Sequence, residues 1–261
     1  MDLELGNKQA LVLGASRGLG ASVARALAVE GALVIAAARS VETIQLWRSE
    51  LPAGIAARVH PVAVDLNSRQ QIDELAEHAR RLGPTDILVN NSGGPPRGAA
   101  ATVTLEQWTA HFEVMAAHVF HLTGRLLPDM LERGWGRIIS IVSSGVEQPI
   151  ANLALSNGIR AAIVGWSKTL ATEVAARGVT VNVVLPGRIH TDRVDQLDQA
   201  AAQKQGKSTA DIARESAASI PAGRYGRPDE FGDVVAFLAS TRASYITGAK
   251  IRVDGGMIRS I

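Results

Sequence analysis

Six short apolar runs punctuate this chain, each emptying into small or polar residues before helical spacing resumes. The runs are Ala10–Leu13, Ala32–Ala38, Val59–Val64, Ile87–Val89, Arg137–Val142 and Val179–Leu185. Continuous apolar runs are the mark of strands covered on both faces, as in a parallel sheet, whereas a sheet wet on one side alternates. Between them, apolar residues recur at helical spacing, as at Val23, Ala24, Leu27 and Ala28, and again in the helical stretches Gln70–Arg81 and Ser156–Ala175. Strand–helix alternation from end to end predicts an α/β protein with a doubly wound parallel sheet, whose ligand crevice lies at the carboxyl ends of the strands. Only 10 of 261 residues are aromatic while 25 are glycine, which suits small-residue helices packed on a sheet.

No repeat, low-complexity tract or linker marks a second domain, so residues 1–261 read as one unit. The exception to the regular pattern is Thr191–Pro221, polar and weakly helical over Gln196–Gln205 and Ala210–Ser219, which reads as a lid over the crevice. Absence of cysteine removes disulfides, thiolate metal sites and a cysteine nucleophile. There is no His-Glu-x-x-His, and His118/His121 lack carboxylates at ligand spacing, so no metal is expected. Basic residues number 27 against 25 acidic and are scattered, which argues against nucleic acid as a partner. No apolar stretch approaches the roughly 18 to 20 residues that cross a bilayer. The start Met1-Asp2-Leu3-Glu4 is acidic, so the expected location is cytoplasmic.

The spacing Gly14-x-x-x-Gly18-x-Gly20, after a strand and opening a helix, lets the backbone approach a pyrophosphate and aims helix N-terminal amides at it. The loop residues Gly14, Ser16, Arg17, Gly18, Leu19 and Gly20 are the first candidate cofactor contacts. Five further elements follow in order: Asp65-Leu66, Asn90-Asn91-Ser92-Gly93, Ser143, Pro186-Gly187 with Thr191, and Val253-Asp254-Gly255-Gly256. With these, the sequence resembles the short-chain dehydrogenase/reductase family over nearly its whole length, in particular its 3-oxoacyl-[acyl-carrier-protein] reductase branch, and the resemblance implies a single-domain Rossmann fold. It also implies that Asp65 and Leu66 hold the adenine, Asn91, Ser92 and Gly93 the cofactor's middle, and Pro186, Gly187, Ile189 and Thr191 the nicotinamide end. Charge predicts which cofactor. An NAD enzyme places a carboxylate at the end of the second strand, and here Ala38 stands there, followed by Arg39. Arg17 and Arg39 can bracket a 2′-phosphate, so NADP(H) is expected.

The family's chemistry uses a Tyr, a Lys four residues later, a Ser before them and an Asn on the preceding helix. This sequence has no Tyr-x-x-x-Lys: its only tyrosines are Tyr225 and Tyr245. Aligning Gly165-Trp166-Ser167-Lys168 with the family's segment puts Ser156 in the Tyr slot and Arg160 in the Lys slot. Ser143, 13 residues before Ser156, confirms the register. Met115 falls in the Asn slot. A serine hydroxyl is a far weaker acid than a phenol, whose pKa is about 10, whereas Arg160 is a fixed cation that can hold ribose hydroxyls and face a developing alkoxide. Ser143, Ser156 and Arg160 are the candidate catalytic residues. His111 and His118, flanking Met115 at i−4 and i+3, and His190 read first as packing or interface residues and second as substitute acids. Glu147, Gln148 and Asn152 stand in the loop between Ser143 and Ser156. The expected function is an atypical NADP(H)-dependent oxidoreductase on a carbonyl or alcohol, with a small-molecule or acyl substrate and a homotetrameric assembly. The alternative on the same fold is a catalytically silent or non-redox NADP-binding protein, or a lyase or isomerase that uses Arg160 as an anion clamp.

Overall fold

The computed structural model describes the whole chain, Met1–Ile261. Seven parallel strands form one sheet: β1 (Gln9–Leu13), β2 (Leu33–Ala38), β3 (Val59–Ala63), β4 (Ile87–Asn90), β5 (Gly136–Ile141), β6 (Val179–Pro186) and β7 (Lys250–Val253). Their spatial order is β3-β2-β1-β4-β5-β6-β7, so the winding reverses between β1 and β4. The helices are α1 (Gly18–Val29), α2 (Val41–Ser49), α3 (Ala53–Ala56), α4 (Arg69–Leu82), α5 (Leu105–Phe112), α6 (His118–Arg133), α7 (Ala154–Val174), α8 (Asp192–Gln205), α9 (Thr209–Ala218) and α10 (Pro228–Ala239). This is the doubly wound arrangement that the apolar runs predict.

Every residue of β1 and β5 is buried, because helices cover both faces. On one face Leu27, Val23, Phe231 and Val235 of α1 and α10 pack on Ala10, Val12 and Val34. On the other, Leu75, Leu122, Leu126 and Leu170 of α4, α6 and α7 pack on Leu11, Leu13 and Leu88. A third cluster, with Met115, Val142, Leu155, Ile159 and Leu185, lies below the carboxyl ends of β5 and β6. The register places Gln9 opposite Leu33 and Ala10 opposite Ile87, and a one-residue slip would displace the loops that follow the strands.

Two details depart from the sequence reading. The segment 191–221 is two ordered helices rather than weak structure: α8 starts four residues before the expected Gln196, with Asp192 and Asp195 in its first turn, where carboxylates favour a helix N-terminus. Its inner side buries Val194, Asp198, Ala202 and Ile212. The helix expected to carry His111, Met115 and His118 on one face is broken by a π turn, Glu113–Ala117, between α5 and α6. That turn interrupts the regular α-helical spacing on which the i−4/i+3 reading rests.

Candidate active site

The glycine loop leaves β1 at Gly14, which takes φ +63°, and enters α1 at Gly18, φ +57°. A Cβ on Gly20 would lie 2.2 Å from the Gly14 carbonyl oxygen, and one on Gly14 would lie 2.6 Å from Asn91 Nδ2. Loop, helix and the end of β4 therefore close up only because both positions are bare. Trp47 Nε1 donates to the Ala15 carbonyl at 3.1 Å, and Asn91 Nδ2 to the Leu13 carbonyl at 3.2 Å, which fixes the loop from two sides. The amides of Ser16, Arg17, Gly18, Leu19 and Gly20 donate to no protein acceptor, and the first turn of α1 holds no acid. Five unspent donors at a positive helix end form an anion cradle.

At the adjacent strand end, Ala38 is buried and Arg39 is exposed with no carboxylate in ion-pair range. Arg17 is also exposed, and its one acidic neighbour is Asp192 at 4.0 Å. Asp65 turns inward on its own loop, accepting from the Asn67 amide at 3.0 Å and from Asn67 Nδ2 at 2.7 Å, bonds that hold its carboxyl below the usual range. The Leu66 carbonyl accepts from His118 Nδ1 at 2.6 Å. His118 thus supports the loop of Asp65 and Leu66. His190 is exposed and faces Asp195, with Nε2 3.2 Å from the carboxylate.

Ser143 follows β5 and caps the turn Ser144–Val146, its Oγ accepting from the Gly145 amide at 3.1 Å. That bond uses a lone pair and leaves the hydroxyl proton free to donate. A Cβ on Gly145 would lie 2.6 Å from Asn157 Oδ1, so the first turn of α7, with Ser156, rests against the Ser143 turn. The Ser156 hydroxyl is half-buried and makes no bond within the protein. One turn on, Arg160 is buried; Nη1 donates to the Ile141 carbonyl at 3.0 Å, no carboxylate pairs with it, and desolvation pushes its pKa down to about 10. Met115, 2% exposed, presents only apolar surface from the π turn.

The segment 191–221, read from the sequence as a lid, borders the remaining side. Gly187 backs onto Asp254, where a Cβ would meet the Asp254 Cα at 2.6 Å, and the Ala222 amide donates to the Gly255 carbonyl at 3.1 Å. The Val253–Gly256 segment therefore holds both ends of the lid. Ile189 is buried and paired with Gly226, while its amide donates to no protein acceptor. Thr191 lies 3.6 Å from the position of a Cβ on Gly18, which brings the lid against the glycine loop.

Comparison with known proteins decides what this crevice belongs to. Residues 14–258 match the family model described as Enoyl-(Acyl carrier protein) reductase. The chain belongs to the short-chain dehydrogenase/reductase family. It is 37% identical over 259 residues to a 3-oxoacyl-[acyl-carrier-protein] reductase of Vibrio cholerae, covering 98% of this chain and 99% of that one. A putative ketoacyl reductase of Streptomyces coelicolor is 36% identical over 252 residues, with 95% and 96% covered. The crystal structure of L-sorbose reductase from Gluconobacter frateurii, complexed with NADPH and L-sorbose, superposes with a TM-score of 0.93 at 32% identity over the full length of both chains. This short-chain dehydrogenase/reductase is accordingly an NAD(P)-dependent oxidoreductase of ketoreductase type on a single-domain Rossmann-like fold.

Several of its site residues carry no signal in the sequence. Arg188 Nη1 donates to Asp198 at 2.6 Å and the Tyr225 hydroxyl to the same carboxylate at 2.7 Å, a buried clamp between the loop after β6, the lid and the chain beyond it. Burial raises the Tyr225 pKa, and its hydroxyl is committed to Asp198. Arg193, from the first turn of α8, brings Nη2 to 3.9 Å from the position of a Cβ on Gly94 in the loop after β4. No spacing rule links residues 94 and 193.

Proposed function

We propose that this enzyme uses NADP(H) to interconvert a carbonyl and an alcohol on a small-molecule or acyl substrate, in the manner of the 3-oxoacyl reductases, at a site where Ser156 and Arg160 replace the usual Tyr and Lys. The observation that carries the reading is the anion cradle, five free amides of Ser16–Gly20 beside Arg17 and Arg39, with Ala38 where a ribose-binding carboxylate would stand. These residues fit NADP(H): the amides suit its pyrophosphate and the two guanidinium groups its 2′-phosphate. Leu66 and Asp65 bound the adenine side, Asn91, Ser92 and Gly93 the middle, and Pro186, Gly187, Ile189 and Thr191 the nicotinamide end. When bound, the cofactor supplies or accepts hydride.

The protein's own part is polarisation rather than acid catalysis. Ser143 keeps its proton for the substrate oxygen because its lone pair already accepts from the Gly145 amide. Arg160 remains a cation throughout the physiological range and opposes the charge that develops as an alkoxide forms. Ser156 extends a hydroxyl but no usable acidity, so the final proton comes from water passed across it. Loss of a positioned general acid costs on the order of 10² to 10⁴ in rate, so ordinary ketones are expected to react slowly while cofactor affinity stays intact.

Calorimetry with the purified chain tests this. NADPH is expected to bind at least about tenfold tighter than NADH, and Arg39→Ala to remove most of that margin. Equal affinities, or an unaltered NADPH affinity in the variant, would overturn the cofactor assignment. Tight NADPH binding without hydride transfer to any carbonyl compound would favour a cofactor-binding protein without redox chemistry.

A further inference from the structure

Acids and bases around the crevice are unequally matched. On the lid, Asp192 faces Arg17, Asp195 faces His190 and Asp198 is held by Arg188. On the opposite wall, Glu147 is bound by Lys250 and Arg252, which hold its carboxyl below the usual range. These carboxylates are therefore already paired, while Asp65 and Asp254 accept only amide hydrogens of their own turns. Four cations are unpaired: Arg39 and Arg97, both exposed, and Arg193 and Arg160. Arg193 has no ion pair and no hydrogen bond in the protein, yet its guanidinium reaches across to Gly94, the residue after the Asn91-Ser92-Gly93 loop. Arg160 is buried with a single carbonyl as partner and no counter-ion.

An unpaired cation beneath a crevice is costly to bury and attracts an anion into it, and Arg is the residue whose planar fork matches a carboxylate. We infer that the substrate of this site is itself an anion, a small oxo or hydroxy acid, with its carboxylate held by Arg193 across the gap between the lid and the Gly94 loop. The inference rests on the reading of the site as an NADP(H)-dependent carbonyl/alcohol oxidoreductase. It makes Arg193 the specificity residue: closure of α8 over the crevice and recognition of the substrate's charge are one event, since the same helix turn that carries Arg193 meets the glycine loop through Asp192. Neutral ketones lack the group that draws the lid's guanidinium inward, and so bind without that contact.

The test uses the full chain saturated with NADPH. Binding of 2-oxo acids from pyruvate to 2-oxooctanoate, and of their methyl esters, is read from quenching of the reduced nicotinamide's fluorescence, for wild type, Arg193→Gln and Arg193→Lys. At least one acid is expected to bind about ten- to a hundredfold tighter than its ester, the range of a charge-assisted bond. Arg193→Gln should weaken the acid alone and bring the ratio near one, and Arg193→Lys should keep part of it. Arg193 is exposed and bonded to nothing, and unchanged NADPH affinity in both variants reports that they fold. Wild-type protein that binds no acid, or binds acid and ester alike, overturns the inference, as does a preference that survives Arg193→Gln. Failure of the underlying reading looks different: NADPH itself does not bind, or is oxidised by neither acid nor ester, and the inference falls with it.

Discussion

On the proposed reading, Ser156 and Arg160 set what this site can do with a proton. The pair stand one helical turn apart on α7, as an acid and its cation would, but neither ionises in the neutral range: the hydroxyl is far too weak an acid, and Arg160, even with its pKa pulled to about 10 by burial, holds its charge below that value. Because the folded-state pKa lies below the ordinary one, burying this cation lowers stability at every pH beneath about 10, with relief only above it. A group kept at such a cost points to a role for its charge. Substituting Ser156→Tyr together with Arg160→Lys restores a phenol beside an ammonium, and turnover of simple ketones is expected to rise about tenfold or more, measured by NADPH absorbance. The phenol needs room beside the cluster of Met115, Leu155 and Ile159, so Met115→Ala in the same background is the companion variant. Unchanged or lower turnover in both would show that the proton already comes from a competent donor.

The glycine loop was legible as an element because each of its constraints is local. Positive φ at Gly14 and Gly18, and the need for a bare Cα at Gly20, are written in the spacing itself. Gly20→Ala tests it: alanine is the better helix former by about 1 kcal/mol, but its Cβ would sit 2.2 Å from a backbone oxygen that cannot move aside. The expected outcome is a lower melting temperature and at least about tenfold weaker NADPH binding, the second because α1 must shift its free amides. A stabilised variant with normal affinity would contradict the geometry. Six of the seven strands and the long helices were equally readable, since continuous apolar runs mark the strands of a parallel sheet. The lid was not. Its clamp joins Arg188, Asp198 and Tyr225, and its reach joins Arg193 to Gly94, pairings that exist only once β4 and β6 lie at the same end of the sheet. Nor does any periodicity announce the π turn at Met115.

As a whole molecule the chain leaves apolar and aromatic surface that its own fold does not cover. Phe120 of α6 and Trp166 of α7 stack at 4.2 Å on a partly exposed face, and Tyr245 and Ile261 near the β7 edge are fully exposed. Surface of this kind on two sides suits a closed assembly with two kinds of two-fold contact, and a homotetramer is expected by light scattering at micromolar concentration. A monomer would contradict it, and Trp166→Glu should shift the population to smaller species. The same seven-stranded sheet brings the glycine loop, the hydroxyls and the segment 191–221 to one end of the molecule, and the proposed function puts hydride chemistry without an ionising acid there. Single-turnover decay of NADPH absorbance, followed from pH 6 to 9 with the best carbonyl substrate, tests this most directly. The expected result is measurable hydride transfer with a rate constant that stays level across the interval, because Ser156 and Arg160 keep one protonation state throughout. A rate that falls through an apparent pKa within the interval, or no decay at all, would contradict it.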